Sequence, residues 1–166
     1  MANEGFNLGR LYQESKQALT RPRQYFSTMS IEGGLGEPIL KALVYGVIAG
    51  VFVLIWNLLN VSGITGGLLG GTLGALGFLW SIFGAVIGVF IGAILVLIVS
   101  AICGGNSEFE PSMRVAAAIM VLMPINAFLG FFSGINYALG SVVSLAVNLY
   151  AIYMLYIAVK GVLSAK

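Results

Sequence analysis

Residues 61–103 contain no charged side chain. A soluble domain carries about a quarter of its residues as Asp, Glu, Lys or Arg, so a stretch of this length cannot face water. A helix needs about 20 apolar residues to cross a hydrocarbon core of about 30 Å. The stretch is therefore too long for one crossing and ambiguous as two. The whole chain of 166 residues agrees, with 59% hydrophobic and only 8% charged residues. Lipid is the principal solvent of such a chain. The expected fold is all-α, a polytopic transmembrane helical bundle, because each helix satisfies its own backbone hydrogen bonds in hydrocarbon.

Two regions follow from the charge distribution. Residues 1–38 form a cytoplasmic amphipathic leader, and residues 39–166 form the transmembrane domain. In the leader, Leu8, Leu11, Tyr12, Ser15 and Leu19 recur at helical spacing, while Arg10, Lys16, Arg21 and Arg23 supply basic flanks for a membrane surface. Pro22 ends this helix or starts a new one. No early apolar stretch resembles a cleavable signal, so the first apolar run is expected to stay as an anchor. Spans are expected at about 39–60, 80–103, 112–132 and 137–159. The glycine-rich residues 62–79 form a fifth span, a re-entrant piece or an interfacial turn. With four spans all eight basic residues share one side, whereas a fifth moves Arg114, Lys160 and Lys166 across. The positive-inside tendency favours four, with both ends in the cytoplasm.

Glycine supplies the strongest local pattern. Gly66, Gly70 and Gly74, and again Gly84, Gly88 and Gly92, repeat at four residues and line helix faces. Such a glycine zipper allows close backbone approach, which drives association in lipid. It serves either self-association or packing within the chain. Asn126 and Asn148 are polar groups at membrane depth, suited to interhelical hydrogen bonds or to a polar passage. Cys103, the only cysteine, is expected to pack as a small hydrophobe at a helix end or to carry a lipid. Pro124 should kink its span.

No catalytic, cofactor-binding or metal-binding motif is visible. The chain has no histidine, and no ionisable residue sits at a span centre, as coupled transport usually needs. A net charge of +2 without a basic, aromatic-interleaved stripe gives nothing to hold nucleic acid. The expected function is non-enzymatic: a membrane scaffold, shaping or recruiting component whose partners are the lipid bilayer and either a second copy or another membrane protein. The alternative is a transporter or channel component.

A set of weak motifs in a fixed order carries a family resemblance. It comprises Arg21, Pro22, Arg23, Gln24, Tyr25 and Phe26; then Glu37 and Pro38; then Gly104, Gly105, Ser107 and Phe109; then Arg114, Val115 and Pro124; and finally Tyr153 and Gly161. Over roughly residues 20–162 the chain resembles the Yip family of membrane proteins that interact with Ypt/Rab-type GTPases, in a prokaryotic form. The resemblance implies a multi-pass protein of a prokaryotic cytoplasmic membrane, a trafficking or membrane-organising role, and a small GTPase as partner. Eukaryotic members have five spans and an Asp-Leu-Tyr-Gly motif. This chain lacks that motif, its leader is short, and no functional residue is transferred.

Overall fold

The computed structural model describes residues 7–59, 61 and 68–163. Every regular element among them is helical: α1 (Leu8–Thr20), α2 (Pro22–Thr28), α3 (Gly36–Leu58), α4 (Leu68–Ile102), α5 (Phe109–Ile119), α6 (Leu122–Leu129), α7 (Phe131–Ile135) and α8 (Tyr137–Gly161). Four stretches are long and apolar enough to cross a membrane, namely Gly36–Leu58, Gly74–Ile102, Phe109–Ile135 and Tyr137–Gly161. The described part of the glycine-rich segment, from Leu68 onward, runs without a break into the second of these. Residues 62–67, where that segment begins, lie outside the described residues.

Local chemistry sets the helix ends. The Asn7 side chain accepts the Gly9 N–H at 2.8 Å and caps α1. Arg21 closes α1 by donating its N–H to the Gln17 carbonyl, and Pro22 opens α2 in the first turn, where its missing N–H costs nothing. The last turn of α4 ends in a Schellman motif. Gly105 N–H reaches the Ser100 carbonyl, Gly104 N–H reaches Ala101, and Gly104 takes φ +70°. Pro124 cannot donate to the Met120 carbonyl, and the third span is broken there, with α5 ending at Ile119 and α6 starting at Leu122. Asn136 caps α8, its Oδ1 accepting the N–H groups of Ala138 and Leu139.

The chain divides into two compact units. The first comprises Met1–Lys41, Val89–Val121 and Met154–Lys166. Phe26, Met113, Val115, Met154 and Leu163 are fully buried in it. One face of α1 contributes Leu11 and Ala18, while Leu8 and Tyr12 are exposed. Among the described residues, every charged side chain belongs to this unit. The second unit, Ala42–Gly88 and Leu122–Tyr153, has none.

Within the first unit, Asn106 N–H donates to the Leu163 carbonyl at 2.7 Å, and Ser100 Oγ donates to the Asn106 carbonyl at 2.7 Å. Gly34 N–H donates to Glu110 at 2.5 Å. The approach to the first span, the connection between the second and third, and the exit from the fourth are thus tied together. An even number of crossings does this. Topology reporters fused before Met1 and after Lys166 should therefore read out on the same side of the membrane. Readouts on opposite sides would demand an odd number of crossings.

Candidate functional site

Three places in the structure concentrate polar or close-packed chemistry. The first is an ion-pair network where α3 and α5 begin. Sequence spacing prepares it, because Arg10–Glu14, Glu37–Lys41 and Glu110–Arg114 are each four residues apart on a helix. The fold then joins the pairs. Lys41 Nζ lies 2.6 Å from Glu14 and 2.9 Å from Glu37. Arg114 Nη1 donates to Glu37 at 3.0 Å, and its Nη2 donates to the Gly34 carbonyl at 3.2 Å. Gly33 and Gly34 shape this junction with φ +130° and +86°, and a Cβ at Gly33 would stand 2.7 Å from Arg114 Nη2. The Lys41 and Arg114 side chains are only 13% and 7% exposed. Ion pairs this shielded count for more than those on an open surface, where a pair is worth about 0–1 kcal/mol.

The network borders a cavity of about 230 Å³, lined by Arg10, Glu14, Tyr25, Glu37, Lys41 and Arg114 among others. Burial raises the pKa of the Tyr25 phenol well above its ordinary value, and the charges of Glu14 and Glu37 push it further. Tyr25 therefore presents a neutral hydroxyl at any physiological pH.

The second place is the contact between α3 and α4 in the uncharged unit. A Cβ at Gly46 would stand 2.7 Å from the Ala85 Cβ and 3.0 Å from the Ser81 carbonyl oxygen. One at Gly50 would strike Ser81 Oγ and lie 2.8 Å from Phe78. Ser81 Oγ donates across the contact to the Gly46 carbonyl at 3.0 Å. Farther along, Gly77 faces Val53 and Gly74 faces Asn57. Trp56 sits near the end of α3, where an aromatic belt is expected; its indole N–H donates to the Ala127 carbonyl at 3.0 Å, beside Phe128 and Phe131.

The third place is an open groove on α8. It is lined by Ser133, Gly140, Ser141, Ser144, Leu145 and Asn148. Asn148 is exposed, and its amide donates to the Ser144 carbonyl of its own helix at 2.8 Å. Nothing among the described residues donates a hydrogen bond to its Oδ1.

The glycines singled out in the sequence part company here. Gly74 and Gly92 face side chains of this chain, Gly92 lying 3.3 Å from the Ala116 Cβ. Gly84 is exposed, with open space where a Cβ would be. Gly88 is half-buried, Gly70 lies in the first turn of α4, and Gly66 falls outside the described residues. Lys16, Arg21 and Arg23 are exposed, as is Arg10, which pairs with Glu14. Asn126 and Asn148 are both exposed, and no hydrogen bond joins them among the described residues. Cys103 is exposed at the end of α4 instead of packed inside. The network around Lys41 and Arg114 and the Gly46–Gly50 contact are absent from the sites read off the sequence. The i,i+4 charge pairs and the four-residue glycine spacing were the available signals.

Four apolar helical spans with a charge-rich unit and an uncharged one define a multi-pass helical membrane protein. Within that class, the Yip1 domain matches residues 16–166, and the chain belongs to this family. No curated protein and no solved structure matches it.

Proposed function

We propose that this chain is a non-enzymatic membrane scaffold that works by helix–helix association, recruiting a second copy or another membrane protein and so organising the bilayer around it. Asn148 carries this reading. It lies near the middle of the 25-residue α8 and is exposed. A carbonyl left without a donor in hydrocarbon costs roughly a few kcal/mol. An amide both donates and accepts, so a second copy presenting the same face satisfies both partners at once. Ser141 and Ser144 keep that face slim enough for close approach. Gly84, exposed and unfilled on α4, offers a further small-residue contact. The exposed Lys16, Arg21 and Arg23 suit the anionic cytoplasmic leaflet, which supports a leader on the cytoplasmic side.

Disulfide crosslinking in native lipid tests the association, using Ser141→Cys in a Cys103→Ser background. A crosslinked dimer is expected. Adding Asn148→Leu should weaken the dimer about fivefold, the effect of about 1 kcal/mol for an interhelical polar contact. A chain that stays monomeric, or whose crosslinking ignores Asn148→Leu and Gly84→Leu alike, removes the basis of the proposal.

A further inference from the structure

The cavity beside α1, α2 and the start of α3 has a charge pattern that the scaffold reading does not use. Three cations, Arg10, Lys41 and Arg114, meet three carboxylates, Glu14, Glu37 and Glu110, in one connected network. Five of these six line the cavity; Glu110 stands behind Arg114. A ligand with net charge would leave that balance uncompensated, whereas a zwitterion adds a positive and a negative group and leaves it even.

Arg114 shows that the network is not closed. Its side chain is more than nine-tenths buried, yet its Nε makes no hydrogen bond, the nearest carboxylate oxygen of Glu110 standing 3.5 Å away. A buried guanidinium N–H in this state is a donor without an acceptor, and Arg114 itself lines the cavity, so an anionic oxygen there would be its fitting partner. The neutral Tyr25 hydroxyl adds a second donor to the same cavity. On the acceptor side, Glu14 and Glu37 already hold one ammonium, that of Lys41, at 2.6 and 2.9 Å. Their oxygens have further lone pairs for another.

Position selects the ligand. Glu37 and Lys41 stand in the first turns of a span, and Arg114 in the second turn of α5, where the third span begins. That is the level of lipid headgroups. The ammonium–phosphate pair found there is phosphoethanolamine. Phosphocholine has the same charges, but its quaternary nitrogen has no N–H to give Glu14 or Glu37.

We infer that the cavity lined by Arg10, Glu14, Tyr25, Glu37, Lys41 and Arg114 binds a phosphoethanolamine group, its phosphate on Arg114 and Tyr25 and its ammonium between Glu14 and Glu37. The group comes either from a phospholipid or from the free compound.

Native mass spectrometry of the full chain, released from nanodiscs holding equal parts phosphatidylethanolamine, phosphatidylcholine and phosphatidylglycerol, tests the assignment. A parallel arm adds free phosphoethanolamine to the detergent-purified chain. Retention of phosphatidylethanolamine over the other two identifies a lipid site; a free-phosphoethanolamine adduct without lipid preference identifies a solute site. Glu14→Gln should cut either form of binding about tenfold, as loss of one charge-assisted hydrogen bond does. In the lipid arm it should also turn the preference toward phosphatidylglycerol, since the network then carries a net positive charge. A general loosening of the fold would lower all three lipids together. Equal retention of the three lipids with no free adduct overturns the inference, as does a Glu14→Gln protein of wild-type unfolding temperature whose lipid preference and free binding are unchanged.

Discussion

Replacing Arg114 with leucine should destabilise the charge-rich unit by about 3 kcal/mol, the lower end of what breaking a buried ion pair costs. The lower end applies because Glu37 and Glu110 are about one-third exposed and keep some hydration after their partner is gone. The substitution removes the bond to Glu37, the bond to the Gly34 carbonyl and the contact with Glu110 together. Arg114→Lys should recover only part of the loss. A single ammonium cannot span Glu37 and Gly34 with separate nitrogens as the planar guanidinium does. Thermal unfolding of the detergent-solubilised protein, followed by circular dichroism, gives the order wild type, Arg114→Lys, Arg114→Leu. Equal stability of all three would show that the network adds nothing to the fold.

The second large effect is expected at the contact of α3 with α4. Gly46→Leu should cost several kcal/mol, since even the first carbon meets Ala85, Ser81 and Ile82 within 3.1 Å, two of those contacts being with backbone atoms. Backbone cannot move aside as a side-chain tip does, so the helices must separate and the Ser81–Gly46 hydrogen bond is lost. Overpacking alone costs about 1–3 kcal/mol. Gly84→Leu is the control, because a Cβ there meets nothing within 4 Å. Under the scaffold proposal the two substitutions separate by assay: Gly46→Leu lowers the unfolding temperature, and Gly84→Leu leaves it unchanged while weakening association. Tolerance of Gly46→Leu at wild-type stability would contradict the close approach of α3 and α4.

The spans were legible in the sequence because their signal is local: twenty or so apolar residues bounded by charge, glycine or proline. Pro124 was legible for the same reason, and the break appears at Met120 and Val121, where the missing N–H leaves its mark. The leader was legible as an amphipathic helix but not in what its face meets. Spacing marks Leu8, Leu11, Tyr12 and Leu19 alike, and only tertiary contact decides that Leu11 is buried while Leu8 and Tyr12 are not. In the sequence Glu37 and Lys41, like Glu110 and Arg114, show only a local four-residue spacing at the head of an apolar run. Their network could not be read, since Arg114 bonds to Glu37 and Gly34 across 77 and 80 residues. Gly46 and Gly50 repeat the spacing of the richer glycine run downstream. What makes them contact points is Ser81, a residue with no periodic signature of its own.

The length of α4 has a consequence for the surrounding lipid. Its 35 residues make a rod about 52 Å long, against a hydrocarbon thickness of about 30 Å. Even the apolar part from Gly74 to Ile102 extends about 43 Å. Such a length is met by a leaning helix, by acyl chains stretched around it, or by helix ends standing clear of the hydrocarbon. Under the scaffold proposal, stretched acyl chains would couple this one helix to local bilayer thickness before any partner arrives.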